Sequence, residues 1–223
     1  MAFAQPHLGA FWTPRYFRST TSNARIASGL SSKQHLNTMA LTPTTDLPLG
    51  FEAPHFQLPN ALDGEMLSSQ ELMQDGATVV MFICNHCPFV VHLLDGLVAF
   101  GNDMQALGVN VIAISSNDVS THPQDGFAFM KTLAIQKNFP FPYLYDESQA
   151  IARAYDAACT PDFSVFDADQ KCVYRGQFDA SRPGNDIPVT GHDLRNVVRT
   201  MLAGLEVPAA GQVPSMGCNI KWK

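Results

Sequence analysis

The sequence predicts an α/β domain with a mixed central sheet flanked by helices, and three observations lead to this prediction. Short β-branched runs of strand length alternate with longer segments whose apolar residues recur at helical spacing. Helices between successive strands require parallel pairing, whereas two late strands separated by a short turn require an antiparallel hairpin. The composition, with 46% hydrophobic and 15% charged residues, is typical of a globular protein.

The first half of the domain predicts two buried strands joined by a helix. Residues 78–83 form a β-branched apolar run of the kind that is buried on both faces of a sheet. Apolar residues then recur at helical spacing from Phe89 to about Leu107, which predicts a helix, and residues 111–114 are the next strand. Ahead of these elements we expect an edge strand at 55–58 and a turn or short helix at 67–73.

The second half predicts further helices and strands, which include a hairpin. We expect, in order, a helix over 124–136, a strand at 143–145, a short helix within 146–155, hairpin strands at 163–167 and 172–175, and a helix over 193–205. No internal repeat is visible. Residues 46–205 are therefore predicted to form one domain, followed by a C-terminal tail, residues 206–223.

The first 45 residues differ in charge from the rest of the chain. They contain no Asp or Glu, they are rich in Ser and Thr, and they lack the continuous apolar core of a secretory signal. Their four cations are Arg15, Arg18, Arg25 and Lys33. This composition predicts a transit peptide for a mitochondrion or plastid. The alternative is that translation begins at Met39 and the protein is cytoplasmic. In either case we expect residues 1–45 to add nothing to the fold.

The charge and hydropathy of the chain exclude two classes of partner. The formal net charge is −6, and no segment collects enough Lys or Arg to neutralise a phosphate backbone, so nucleic acid is not expected. No apolar run approaches the ~18 residues that a membrane span needs, so no membrane partner is expected. Nothing in the sequence indicates an oligomeric state.

The main chemical feature lies where the first buried strand meets its helix, at Cys84-Asn85-His86-Cys87-Pro88. A C-x-x-C pair in this context is typical of a redox site, because the helix N-terminus stabilises a thiolate. The alternative is two structural cysteines in a buried corner. No second C-x-x-C pair is present, so we assign no metal-binding residues.

A second feature, Cys159-Thr160-Pro161, immediately precedes the first strand of the hairpin. Proline cannot donate a hydrogen bond to a sheet and is normally confined to strand starts, edges or bulges. A cis bond before Pro161 would turn the chain sharply and leave the backbone of Thr160 exposed beside the dithiol. We therefore expect Thr160 and Pro161 to contribute to substrate binding.

From about residue 46 to residue 205 the chain resembles redoxins of the alkyl hydroperoxide reductase/thiol-specific antioxidant (AhpC/TSA) class. It is most similar to a subgroup with four motifs, which here are NHCPFV at 85–90, CTPDFSVFD at 159–167, YRGQFDASRP at 174–183 and GCNIKWK at 217–223. The resemblance implies a thioredoxin-like fold, a cis-proline at Pro161 and thiol-based redox activity. It implies no cofactor.

The chain departs from the better-known members of this class. Peroxiredoxins carry P-x-x-x-T-x-x-C, but the corresponding positions before Cys87 hold Val80 and Cys84. Thioredoxins carry W-C-G-P-C, but here Ile83 precedes the pair. Neither a conventional peroxidatic site nor a full disulfide-reductase site follows from the resemblance.

Roles for the individual residues follow from the position of Pro88. Proline favours the first helical position, which places Cys87 at the N-cap and predicts that Cys87 is the nucleophile and Cys84 its resolving partner. His86 stabilises a thiolate, or is an ordinary loop histidine. Cys159 is a third redox thiol or a small wall residue. Cys218 resolves an oxidised cysteine only if the tail folds back.

The sequence thus predicts a thiol-disulfide oxidoreductase, or antioxidant redoxin, that acts through the Cys84/Cys87 dithiol. Its expected partners are a thiol reductant and either a disulfide-bearing protein or a peroxide. The alternative is a thioredoxin-fold metallochaperone in which the same cysteines and His86 hold a soft metal such as Cu(I).

Overall fold

The structure of the protein is a computed structural model that describes residues 41–74 and 76–223. The predicted transit peptide and the alternative start at Met39 lie outside the described residues and stay predictions. Within the described part of the chain, no helix is both long enough and apolar enough to cross a membrane.

Ten strands and five helices make up the described chain. In order they are β1 (Leu41–Pro43), β2 (Gln57–Pro59), β3 (Met66–Ser68), α1 (Ser69–Leu72), β4 (Thr78–Phe82), α2 (Pro88–Ala106), β5 (Asn110–Ser115), a 3-10 turn (Pro123–Asp125), α3 (Phe127–Lys137), β6 (Tyr143–Tyr145), α4 (Ala150–Ala154), β7 (Cys159–Thr160), β8 (Asp162–Phe166), β9 (Cys172–Gly176), α5 (His192–Leu202) and β10 (Met216–Asn219).

The central sheet is mixed, with the strand order β6-β5-β4-β8-β9. β4, β5 and β6 pair in parallel, because α2 and α3 return the chain to the same end of the sheet. β8 runs antiparallel to both β4 and β9. β8 and β9 form the predicted hairpin. β4 therefore lies at the centre, and every one of its residues is buried.

Alternate residues of β4 contribute to two cores on opposite faces of the sheet. Val79 and Met81 pack with apolar side chains of α2, α3 and α5. Val80 and Phe82 pack on the other face with α4 and with the segment that precedes β3. Successive residues of β4 point to opposite faces of the sheet, and both faces are buried. The run is therefore apolar at every position rather than alternating.

A second sheet, with the order β1-β10-β7, was not predicted. It extends the ordered domain beyond the expected limits of 46 and 205, since β1 precedes residue 46 and β10 lies within the predicted tail. The expectation that residues 1–45 add nothing to the fold is corrected for Leu41–Pro43. Short strands that pair across most of the chain leave no local periodicity to detect.

Two predicted helices are shorter than expected, and a glycine accounts for each change. The helix expected over 124–136 is divided by Gly126, whose backbone is extended between the 3-10 turn and α3. The last helix ends at Leu202, and Gly204 follows with a φ of +68°, a conformation that ends helices readily.

Candidate functional site

The C-x-x-C pair lies between the end of β4 and the first turn of α2. Cys87 is the N-cap residue of α2, with φ −63° and ψ 123°, and Pro88 occupies the first helical position. Cys84 follows Ile83 at the end of the β4 segment, so the strand and helix fix the two cysteines on either side of a tight turn.

The Thr160–Pro161 peptide bond is cis and lies against the dithiol. The Cys84 Sγ atom is 3.4 Å from the hydroxyl oxygen of Thr160, and the Cys87 Sγ atom is 3.1 Å from the Thr160 carbonyl oxygen. The structure thus brings the two sequence features together, although they lie more than seventy residues apart.

The C-terminal tail folds back and adds a third sulfur to the site. In β10, Cys218 pairs directly opposite Thr160 of β7. Its Sγ atom lies 2.8 Å from the Cys87 Sγ atom, and both side chains are buried. Cys87 is therefore placed between two potential thiol partners.

The contacts among the sulfurs give the three thiols different pKa values. Interaction with Cys218, and then with Cys84, lowers the pKa of Cys87 well below its usual value. Hydrogen bonds from the backbone N–H groups of Val90 and Cys218 lower the pKa of Cys87 further, whereas burial opposes this change. Interaction with Cys87 raises the pKa of Cys84, and burial raises it further. Contact with Cys87 also raises the pKa of Cys218. Of the three thiols, Cys87 is thus the one whose pKa is lowered.

Asp125 holds the two middle residues of the C-x-x-C turn in place. Its carboxylate accepts hydrogen bonds from the Asn85 backbone N–H at 2.8 Å, from His86 Nδ1 at 2.6 Å and from Asn117 Nδ2 at 2.8 Å. Burial alone would raise its pKa, but the hydrogen bonds from His86 and Asn117 outweigh it and lower the pKa. Asp125 is therefore a buried carboxylate that positions His86 beside Cys84.

Sequence reasoning missed Asp125 and Asn117 as site residues. The helix that the sequence predicts over 124–136 includes Asp125, whereas in the structure Asp125 ends the 3-10 turn that begins at Pro123. The only local signal was Pro123 followed by Gly126, which is typical of a turn. Asn117 follows β5 and lies at the carboxyl end of the parallel strands, where sites in α/β folds are common.

His86 does not form a catalytic triad with Cys84 and Asp125. The same ring nitrogen, Nδ1, lies 2.6 Å from Asp125 Oδ2 and 4.0 Å from Cys84 Sγ. A triad needs the two nitrogens of the ring on opposite partners. The His86 ring also stacks on His122, with ring centroids 5.0 Å apart. The arrangement holds His86 beside Cys84 but gives it no proton relay.

The remaining cysteines lie in less reactive surroundings. Cys159 is buried, its Sγ atom lies 3.5 Å from the Pro161 carbonyl, and burial raises its pKa well above the usual value. These surroundings favour a wall residue over a third redox thiol. Cys172 lies in β9, and burial raises its pKa to about 12.

Access to the sulfurs is restricted. Cys84 is 1% exposed, Cys87 is fully buried and Cys218 is 3% exposed. The His86 side chain, which is 22% exposed, lies at the solvent side of the cluster. Asn85 anchors this turn through its hydrogen bonds with the Gln124 carbonyl and the Tyr143 hydroxyl. The three sulfurs are therefore largely shielded from solvent.

Comparison with known proteins points to one family. The sequence model described as AhpC/TSA family matches residues 49–175, more than half of the chain. Among curated proteins no match was found.

Solved structures are similar to this chain over most of its length. An uncharacterised conserved protein from Geobacillus kaustophilus is 52% identical, with a TM-score of 0.81, covering 83% of this chain and 97% of its own. A hypothetical protein from Sinorhizobium meliloti 1021 is 43% identical, with a TM-score of 0.79, covering 82% of this chain and 98% of its own. The peroxidoxin BcpB from Mycobacterium tuberculosis, at 16% identity and a TM-score of 0.53, covers 70% of this chain and 96% of its own. Such neighbours confirm the predicted thioredoxin-like fold.

Proposed function

Because the chain belongs to the AhpC/TSA family and is similar in fold to a peroxidoxin, we propose that it is a thiol oxidoreductase acting through Cys84 and Cys87. One observation carries the proposal. Cys87 caps α2, has a lowered pKa and contacts a second thiol on each side, so a reactive thiolate and its resolving partners lie together.

The reaction with a peroxide begins at Cys87. Its thiolate attacks one peroxide oxygen, the O–O bond breaks, and the products are a sulfenic acid on Cys87 and an alcohol or water, which takes up a proton. The Cys84 thiol then attacks the Cys87 sulfur, and water leaves as the disulfide forms. An external thiol reductant restores the dithiol by two successive exchanges.

The reaction with a disulfide follows the same order of attack. The Cys87 thiolate attacks one sulfur of the substrate, and the other sulfur leaves as a thiolate. Cys84 then displaces the remaining half from Cys87. Both routes oxidise the dithiol by two electrons and reduce the substrate by two.

Burial of the sulfurs favours a small oxidised substrate. A protein disulfide needs the residues that cover the sulfurs to move apart, and one part of this cover, the Asn85–His86 turn, is held by Asp125, the Gln124 carbonyl and the Tyr143 hydroxyl. A peroxide or a low-molecular-weight disulfide needs much less displacement. We therefore propose these small molecules as the substrate class, ahead of disulfide-bearing proteins.

A redox titration in glutathione buffers tests the proposal. We expect the wild-type chain to show a reversible two-electron transition, because one disulfide forms and breaks. Replacement of Cys87 by Ser should abolish this transition. Cys172→Ser is the matched control, since Cys172 is equally buried but belongs to the core on the opposite face of the sheet. A Cys87→Ser variant that titrates like wild type would refute the proposal.

The second candidate, soft-metal binding, has one observation in its favour. Ligand atoms of Cys84, His86 and Asp125 all lie within 4.8 Å of one another. However, the carboxylate of Asp125 already accepts hydrogen bonds from Asn85, His86 and Asn117, so an ion would have to displace them. Purified protein that retains stoichiometric copper and shows no thiol exchange would favour this candidate over the oxidoreductase.

A further inference from the structure

We propose that Cys218 is a third redox-active thiol, with Cys87 exchanging its disulfide partner between Cys84 and Cys218. The inference rests on the proposed function and extends it to the C-terminal strand. The inference is based on the distance of 2.8 Å between the Cys87 and Cys218 Sγ atoms. This distance is shorter than the van der Waals contact distance of two sulfur atoms. A disulfide needs a sulfur–sulfur distance of about 2.0 Å, so a small displacement suffices.

The position of Cys218 is fixed by the fold on both sides of β10. Its strand pairs with β1 through Leu41 and with β7 through Thr160, the residue that contacts both dithiol sulfurs. Beyond the strand, the backbone of Lys221 exchanges hydrogen bonds with Asp118 N–H and with the Asn117 side chain. Cys218 is thus held in the site by a network of backbone contacts rather than by chance proximity of a loose tail.

Asn117 links this tail to the dithiol turn. Its side-chain carbonyl accepts from Lys221 N–H at 2.8 Å, while its amide donates to Asp125 at 2.8 Å. Asp125 in turn holds Asn85 and His86. The Asn117 side chain therefore connects the segment that carries Cys218 with the segment that carries Cys84. This connection fixes the positions of the two segments relative to each other.

The exchange step balances without an added oxidant. In the Cys84–Cys87 disulfide, the Cys218 thiolate attacks the Cys87 sulfur, a Cys87–Cys218 bond forms, and Cys84 leaves as a thiolate. Cys84 takes up the proton that Cys218 has lost. The two-electron oxidation, supplied earlier by the peroxide or disulfide substrate, moves from one pair to the other.

The two disulfides have different structural consequences. A Cys84–Cys87 bond closes a loop within one turn, whereas a Cys87–Cys218 bond joins residues 131 positions apart and ties β10 to the start of α2. Closing the longer loop removes more conformational freedom from the unfolded chain. The second disulfide should therefore fix the C-terminal strand and make the domain more resistant to heat.

Disulfide mapping by mass spectrometry after treatment of the reduced chain with glutathione disulfide tests the inference. In wild type we expect both the Cys84–Cys87 and the Cys87–Cys218 disulfides. In Cys84→Ser we expect only Cys87–Cys218, with Tm raised by about 5 °C or more over the reduced form. In Cys84→Ser/Cys218→Ser, Cys87 should remain as the glutathione adduct. Cys159→Ser is the control and should give the wild-type pattern.

The outcomes separate this inference from the proposed function. If wild type forms Cys84–Cys87 alone and Cys84→Ser yields only the glutathione adduct of Cys87, the inference is wrong and the dithiol proposal stands. If no disulfide or adduct forms at Cys84, Cys87 or Cys218, both are wrong.

Discussion

At pH 6, Cys87 in the Cys84→Ser variant is expected to react with iodoacetamide about tenfold or more faster than Cys84 in the Cys87→Ser variant. Cys218 is the largest cause of the low pKa of Cys87 and is still present when Cys84 is replaced. Cys84 in the other variant keeps two causes of its raised pKa, burial and the nearby Asp125 carboxylate. Peptide mass spectrometry measures each site separately.

The pH dependence of the alkylation rate shows whether the acidity of a thiol or its access to solvent controls its reactivity. Because the pKa of Cys87 is lowered, its thiolate is already formed and its alkylation rate should stay nearly constant between about pH 6 and pH 8. The rate at Cys84 should rise about tenfold for each pH unit over the same range, since its thiolate fraction is small. The two sulfurs are similarly buried, so a difference in exposure does not account for such a contrast. Faster alkylation at Cys84 at neutral pH would reverse the assignment of nucleophile and resolving thiol.

Replacing Gly217 by Ala is expected to destabilise the domain by about 3 kcal/mol or more, because the new methyl group has no room. A Cβ atom at this position would overlap the Thr160 carbonyl group and approach the backbone nitrogen of Pro161. Backbone atoms cannot rotate away as a side chain can, so β10 must separate from β7. Urea denaturation measures the loss in the free energy of unfolding.

The same substitution should also change the chemistry of the site. Movement of β10 takes Cys218 away from Cys87, so the pKa of Cys87 should rise and its alkylation at pH 6 should slow. Gly211→Ala is the control: it lies in the same C-terminal segment, with φ +84° and open space around it, and should cost only about 1 kcal/mol of backbone strain. Equal losses of stability in the two variants, with unchanged alkylation of Cys87, would show that the packing of Gly217 on Thr160 is unimportant.

Local pattern was sufficient for the central sheet and for the placement of Cys84 and Cys87 before α2. The continuous apolar run of β4 indicated a strand buried on both faces, and Pro88 indicated where α2 begins and therefore which cysteine caps it. In both cases the information lies within a few neighbouring residues. The hairpin of β8 and β9 was predictable for the same reason.

Features that depend on distant pairing were not predictable in this way. β1 and β10 are three and four residues long and pair across most of the chain, so no periodicity marks them. Asp125 resembles any turn carboxylate in the sequence, and its burial follows only from the packing of the 3-10 turn against Asn85 and His86. The third sulfur of the site was visible as Cys218, but its contact with Cys87 required the fold of the tail.

The proposed function is tested most directly by thiol-dependent consumption of hydrogen peroxide, with dithiothreitol as reductant, by the wild-type chain and by Cys87→Ser. We expect repeated turnover by the wild type and a loss of about 100-fold or more when Cys87 is replaced, with Cys172→Ser unchanged. Equal rates for the wild-type chain and Cys87→Ser would show that Cys87 is not the nucleophile.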